Sequence, residues 1–349
     1  MNILIVGFGT VGRYYFDILK KNKLIKKIYI CNDYKLPLNS RYNQISFNIN
    51  IINKKNIQYA IICTPSSLHF KFSKILSKNN INLLIEKPFV LKLSDAKELI
   101  KINKNKKIKC WVAFQNRCNL AVQKAKKLIK QRKVGNVFLS DCSLFWSRNK
   151  KYYKVSWRGK YKSDGGVLAN QAIHLLDATI YIFGRIQKFN GSIKFNKKKL
   201  EAEDLISLNF EHINGVISSF KATTRADSNY RSAMDIVGEK GRLLVKGISL
   251  NTLHVMKNNI IKIDKKNSET FGTGSGPKGA MGNGHKKILK EFLDDKRTKS
   301  SYGLEINNNL HSLEVIHSVY NSSMKKNLFV NIKSKQSKLG VWLNENKYK

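Results

Sequence analysis

The run Ile3-Leu4-Ile5-Val6-Gly7-Phe8-Gly9-Thr10-Val11-Gly12 decides how the rest of the chain is read. Four consecutive apolar residues make a short strand buried on both faces, and the strand stops at a glycine. Three glycines then follow in the spacing G-x-G-x-x-G, and Val11 to about Asn22 reads as a helix. The first glycine permits a tight turn. The second lets the backbone approach a pyrophosphate, and the third lets helix and strand pack closely. The helix N-terminus adds N–H groups and a positive partial charge. Strand, turn and helix together predict a dinucleotide site at Gly7, Phe8, Gly9, Thr10, Val11 and Gly12. A second strand, Ile28–Cys31, leads into Asn32-Asp33, and Asp33 stands 21 residues after Gly12. An acid there accepts hydrogen bonds from the adenosine ribose hydroxyls and repels a 2′-phosphate, which favours NAD. Lys35 can hold such a phosphate, so NADP stays open.

Outward from that run, strand and helix keep alternating. Ala60–Cys63 and Leu83–Ile85 read as strands, with a helix over Leu68–Lys78 between them. A helix follows over Ser94–Ile102 with Ser94 as its N-cap, then a strand over Lys109–Phe114. Short, nearly all-apolar strands between helices predict a parallel sheet covered on both faces. After residue 117 the pattern changes. Asn119–Lys133 reads as a helix, Val137–Phe145 as a long strand, and Asp164–Gly184 as a second helix. Hairpins follow at Asn214-Gly215, Glu239-Lys240-Gly241 and Asn258-Asn259. A glycine-rich stretch, Gly272–Gly284, precedes helices over Lys286–Leu293 and Glu305–Tyr320. The predicted fold class is α/β. A Rossmann domain spans residues 1–117, and an α+β domain with a large, mostly antiparallel open sheet spans residues 118–349.

The chain has 349 residues, enough for two domains, and 42% hydrophobic content, enough for a packed core. Its net charge is +42, which by itself suggests a polyanionic partner. The distribution argues otherwise. There are 54 lysines against 11 arginines, and nucleic-acid readers rely on arginine for base edges. Residues 1–117 carry 22 basic and 5 acidic side chains, so the excess is spread along the chain. We read it as a compositional background, with no specific nucleic-acid partner. The five cysteines form no C-x-x-C pair and none has a histidine at metal-ligand spacing, so no metal site is expected. No apolar run reaches the roughly 20 residues of a membrane span. With no leader pattern at the N-terminus, a cytoplasmic location is expected.

In chain order, the motifs are Gly7–Gly12; Cys63-Thr64-Pro65 with His69; Glu86-Lys87-Pro88; Gln115-Asn116-Arg117; Trp157-Arg158-Gly159; Asp164-Gly165-Gly166; Asn170, His174 and Asp177; Glu203-Asp204; and Gly238-Glu239-Lys240-Gly241. This ordered set resembles the Gfo/Idh/MocA oxidoreductases over nearly the whole length. The resemblance implies a nicotinamide cofactor in a cleft between two domains and oxidation or reduction of a secondary alcohol on a sugar, an inositol or a nucleotide-linked sugar. It adds Thr64, Pro65, His69, Glu86, Lys87 and Asn116 to the cofactor set. It also implies cover of the open sheet by a second subunit, hence a homodimer or homotetramer.

The residue types suit that chemistry. Lys87 follows a buried strand, so its ammonium enters the cleft at the strand's carboxyl end and stabilises a developing alkoxide. Asn170, His174 and Asp177 have helical spacing and are expected on one face. His174 is the expected general base, working through a hydrogen bond with Lys87. Asn170 positions the sugar, and as a neutral amide it removes a charge that an aspartate would place there. Asp177 is expected to be structural. Arg117, Trp157, Arg158, Lys162 and Gln171 are expected at the substrate. His285, after the glycine-rich stretch, is read as a solvated helix start in preference to part of a substrate loop that closes. Local runs around Gln115, Trp157 and Asn170-Gln171 resemble members that oxidise the 3-hydroxyl of UDP-N-acetylglucosaminuronate. A sugar 3-dehydrogenase of surface-glycan biosynthesis is therefore the expected function. A catabolic dehydrogenase of a free sugar or inositol, and a non-catalytic nucleotide-binding regulator, are the alternatives.

Overall fold

The computed structural model describes residues 1–33, 43–195, 200–257, 260–267 and 283–323. Lys35, the Asn258-Asn259 turn and most of the Gly272–Gly284 stretch lie outside them. The first sheet contains β1 (Asn2–Val6), β2 (Lys27–Cys31), β3 (Asn43–Gln44), β4 (Ile57–Ile62), β5 (Asn82–Ile85) and β6 (Cys110–Val112). Their order is β3-β2-β1-β4-β5-β6, and all pairings are parallel. Helices α1 (Thr10–Leu19), α2 (Ile49–Lys54), α3 (Ser66–Lys78) and α4 (Leu93–Lys106) connect them. Ile3, Leu4, Ile5, Ile61 and Ile62 are fully buried, as the unbroken apolar runs require. Helix α1 ends at Leu19, short of Asn22, and α4 starts at Leu93 with Lys92 rather than Ser94 at its cap. From β1 the chain runs out to one side and then returns to the other. That reversal opens a crevice at the carboxyl ends of β1 and β4.

The glycines hold that crevice open. Gly7 has φ +91°, and a Cβ there would lie 2.8 Å from the Cys63 carbonyl carbon. A Cβ at Gly12 would lie 2.2 Å from the Gly7 carbonyl oxygen, so the start of α1 seats directly on the β1 turn.

The second sheet holds β7 (Val137–Phe145), β8 (Ile186–Lys194), β9 (Leu205–His212), β10 (Ile217–Thr223), β11 (Arg231–Gly238), β12 (Gly241–Lys246), β13 (Thr252–Lys257) and β14 (Ile260–Ile263). Their order is β14-β13-β12-β11-β7-β10-β9-β8. Among the described strands of this sheet, only β7 and β10 pair in parallel. Helices α5 (Leu120–Lys130), α6 (Lys150–Tyr153) and α7 (Ile173–Phe183) precede most of its strands. Strict alternation sets its faces: Ile206, Leu208 and Phe210 of β9 are buried, whereas Ser207 and Asn209 are exposed. On the open face, the paired residues Leu139 and Ile217 are 42% and 49% exposed.

The helix expected from Asp164 forms only from Ile173. Gly165 has φ +73°, and Glu203 takes the backbone donors that a helix would use. Val167 N donates to the Glu203 carbonyl at 2.8 Å, and Leu168 N donates to Glu203 Oε1 at 2.8 Å. Helices α8 (Gly284–Phe292) and α9 (Leu310–Ser323) end the described chain. Before α9 the chain returns to the first sheet. Phe292 stacks on Tyr59 and Trp111, and Val112 N donates to the Leu304 carbonyl at 2.8 Å. The C-terminal third thus covers the β6 edge. Among the described residues no helix is long and apolar enough to cross a membrane.

Candidate active site

Two adjoining cavities lie between the sheets. One, of about 510 Å³, runs along the glycine turn past Asn32, Asp33, Thr64 and Pro65 to Trp157 and Arg158. The other, of about 200 Å³, is lined by Gln115, Asn116, Gln171, His174 and His285 among others. They share Val11, Glu86, Lys87, Tyr152 and Asn170.

Lys87 lies two residues past the end of β5, half-buried, across a cis bond to Pro88. Its Nζ donates to the Asn170 carbonyl at 2.9 Å and lies 3.5 Å from Asn170 Oδ1. Burial lowers its pKa, while the charges of Glu86 and Asp164 oppose that shift. The expected bond between Lys87 and His174 is not formed, because the Asn170 carbonyl takes the ammonium instead. His174 sits one residue into α7, edge-on to Phe114 at 6.2 Å. Its Nδ1 is buried without a hydrogen-bond partner among the described residues. Burial, then the nearby Lys87 and His285, push its pKa well down, so the imidazole is neutral at pH 7. It can accept a proton.

Asn170 is the neutral amide expected, but the site is not free of carboxylate. Its Nδ2 donates to Asp164 Oδ1 at 2.6 Å, so a carboxylate stands one hydrogen bond behind the amide. Burial raises the pKa of Asp164. Gln171 Nε2 donates to the Tyr152 hydroxyl at 3.1 Å. The Tyr152 ring lies against Arg158 at 4.0 Å and Arg148 at 5.2 Å.

His69 bridges the ends of two strands, with Nδ1 2.8 Å from the Pro88 carbonyl and Nε2 2.9 Å from the Thr64 carbonyl. Glu86 accepts from the Tyr15 hydroxyl at 3.0 Å and lies 3.7 Å from His285 Nε2. Burial pushes the Glu86 pKa up, but His285, Lys87 and Tyr15 outweigh it and hold the carboxylate below its ordinary range.

Three expectations need correction. His285 is not a solvated helix start: it is 2% exposed and packs edge-on to Tyr14 and Tyr15. A Cβ at Gly284 would lie 2.3 Å from the Gln115 carbonyl oxygen, and that close approach pins the start of α8 to the cavity. Arg117 does not reach the cavities. Its Nε donates to Asp177 Oδ2 at 2.7 Å and its Nη2 to Asp177 Oδ1 at 2.5 Å. Asp177 therefore turns from the Asn170–His174 group into the core. Lys162 is exposed and lines neither cavity. Sequence reasoning also missed Trp146, Arg148 and Tyr152, whose signal is only an aromatic–basic cluster around the end of β7 and α6.

The chain's residues fit a nicotinamide dinucleotide. A Cβ at Gly9 would meet nothing within 4 Å, which leaves open space over the turn. Asn32 Oδ1 accepts from Phe8 N at 2.9 Å and fixes that turn. Thr64 Oγ1, Gln115 Oε1 and Asn116 Oδ1 line the cavities, buried and without hydrogen-bond partners among the described residues. No group of three or more His, Cys, Asp or Glu side chains among the described residues could hold a metal ion.

Comparison with known proteins identifies the family of the two domains. Residues 1–114 match an oxidoreductase family with an NAD-binding Rossmann fold, and residues 122–244 match the GFO/IDH/MocA C-terminal domain. The chain is similar to the uncharacterized oxidoreductase YhhX of Escherichia coli (strain K12), 23% identical over 211 residues, which cover 58% of this chain and 60% of that protein. It is also similar to levoglucosan dehydrogenase of Pseudarthrobacter phenanthrenivorans, 24% identical over 225 residues, 56% of each protein. The matches thus span less than two thirds of these curated relatives. Among solved structures, the WlbA dehydrogenase of Chromobacterium violaceum, in complex with NADH and UDP-GlcNAcA, has a TM-score of 0.81 at 23% identity, covering 93% of this chain and 94% of that one. That likeness shows a shared fold.

Proposed function

The chain belongs to the Gfo/Idh/MocA oxidoreductase family, and from that premise we propose that it oxidises the 3-hydroxyl of a nucleotide-linked or uronic sugar with NAD, in surface-glycan biosynthesis. The observation that carries the reading is the Lys87 ammonium, held 2.9 Å from the Asn170 carbonyl beside a neutral His174 in a small cavity that opens on the dinucleotide cleft. Residues 1–117 form the cofactor unit and residues 118–349 the substrate and oligomerisation unit.

Gly7, Phe8, Gly9, Thr10, Val11 and Gly12 would hold the cofactor's pyrophosphate, Asp33 its ribose, and Thr64, Pro65, His69, Glu86 and Asn116 the nicotinamide end. A bound nicotinamide would supply the hydride acceptor for the carbinol carbon. As the C–H pair leaves, His174 takes the hydroxyl proton, and the products are a ketone and an imidazolium. Lys87 stabilises the alkoxide that develops between those events. Asn170 fixes the Lys87 ammonium, and Asp164 fixes the Asn170 amide. Tyr152 and Gln171 orient the sugar, with Trp157 and Arg158 at the cofactor side.

The WlbA neighbour's complex with UDP-GlcNAcA supports a nucleotide-linked substrate. The cavity's size, about 200 Å³, favours a free sugar as the second reading, in line with the levoglucosan dehydrogenase relative. Exposed Leu139 and Ile217 on the open sheet face support a homodimer or homotetramer. NADH formation from UDP-N-acetylglucosaminuronate, but not from free hexoses or myo-inositol, is the expected result with purified protein and NAD. Fast turnover of myo-inositol with none of UDP-sugars overturns the reading.

A further inference from the structure

The small cavity continues past its outer wall. Trp146, Ser232 and Ile248 line it and also line a further cavity of about 400 Å³ at the start of β11 and the end of β12. His174 lines the small cavity, and Lys87 stands where it meets the dinucleotide cleft. A ligand whose reacting hydroxyl meets Lys87 therefore points its far end toward Trp146 and Ser232. Whatever is attached there enters the further cavity.

Its walls have a definite chemistry. Arg231 and Lys246 line it, and among the described residues no carboxylate does. In the β11–β12 register Ala233 pairs with Lys246, so Arg231 and Lys246 are diagonal neighbours on the face opposite Ser232, at the end of the sheet where β11 starts and β12 stops. Such neighbours stand roughly 7–8 Å apart, a span that two linked phosphates can bridge. Arg231 is held in place through Nε, which donates to Ser143 Oγ at 2.5 Å. Tyr230 is 65% exposed and leans on Phe145 with ring centroids 5.7 Å apart, so it offers an aromatic plane to a base. A third cavity, of about 610 Å³ and also basic, lies beyond Arg148. It shares only Arg148 with the small cavity, and Asp204 already holds its Arg225 at 2.5 Å.

We propose that the cavity lined by Tyr230, Arg231 and Lys246 seats the nucleoside diphosphate of the substrate, with both cations on the phosphates and Tyr230 against the base. This rests on the nucleotide-sugar reading above. A small inner cavity then suffices, because it receives the sugar ring alone.

The test is calorimetric binding of UDP, without sugar, to the full chain and its variants. Wild type is expected to bind. Arg231→Ala and Lys246→Ala should each weaken binding about tenfold to a hundredfold, and Arg231→Lys should recover part of the loss. Lys150→Ala with Lys154→Ala, in the third cavity, should leave UDP binding unchanged. With a UDP-sugar, the first two variants should raise KM by similar factors at unchanged kcat. UDP binding that survives Arg231→Ala and Lys246→Ala, or is lost only with Lys150 and Lys154, overturns the assignment and leaves the nucleotide-sugar function standing. A wild type that ignores UDP and turns over only free sugars overturns both.

Discussion

Helix α7 carries two buried polar clusters whose anchoring residues, His174 and Asp177, are three residues apart. Around Asp177 every strong group has its partner. The Arg117 fork meets both carboxylate oxygens, Nη1 donates to the Gly303 carbonyl at 2.6 Å, and Tyr181 packs over the guanidinium at 5.1 Å. Burial raises the Asp177 pKa even so, which reflects the desolvation cost of a structural ion pair. Around His174 the account is left open. His174 Nδ1, Gln115 Oε1 and Asn116 Oδ1 lack partners among the described residues. Leaving a buried polar atom unpaired costs roughly 1–3 kcal/mol, and folds seldom tolerate it without a ligand to bind. Burial therefore does not separate the two clusters, but three unpaired atoms gathered around one cavity do.

The widest separation should come from deleting the centre of each cluster. Lys87→Ala and His174→Ala are expected to lower kcat/KM about 10²- to 10⁴-fold with an unchanged urea midpoint. Wild-type rates from either variant would erase the distinction. Arg117→Ala should do the opposite: it strands the Asp177 carboxylate and costs about 3–5 kcal/mol in urea unfolding, while KM in the folded fraction stays put. A large KM rise without destabilisation would return Arg117 to the substrate.

Glu203 sharpens the contrast as an intermediate case. Its Oε1 is bonded to Leu168 N and the Tyr320 hydroxyl, but its Oε2 has no partner among the described residues. Burial raises its pKa from 4.5 to about 7. The folded state then binds the proton more tightly than the unfolded state, so stability should fall as pH rises from about 4.5 to 7 and level off above. Glu203→Gln should flatten that slope and gain up to about 3 kcal/mol at pH 8, read from urea midpoints at both ends. The smallest effect concerns His174. With its pKa pushed below the ordinary imidazole value, oxidation should lose less than about twofold in kcat between pH 8 and 6.5. A steeper fall would mean the imidazole is charged at rest.

The first sheet was legible because a parallel sheet buried on both faces leaves uninterrupted apolar runs such as Ile3–Val6, each bounded by a turn. The glycine turn and Lys87 were legible for a related reason: a strand's carboxyl end fixes where the next residue points. Other features depended on contacts that no period records. Asp164–Ile173 reads as helix, yet Glu203, some 30 residues away in sequence, takes its backbone donors. Arg117 resembles a cleft arginine until Asp177 is seen beside it. His285 looks solvated because the packing of Gly284 on Gln115 has no local signature.

The return of the chain to the first sheet also bears on synthesis. Trp111 of the edge strand β6 bridges to Glu305, 194 residues later. At about 5–20 residues per second, the ribosome needs roughly 10–40 s to supply that cover. Through this interval the nascent first domain shows an open strand edge and the apolar faces of Tyr59 and Trp111. The edge of the first sheet can therefore close only after the last third of the chain has emerged.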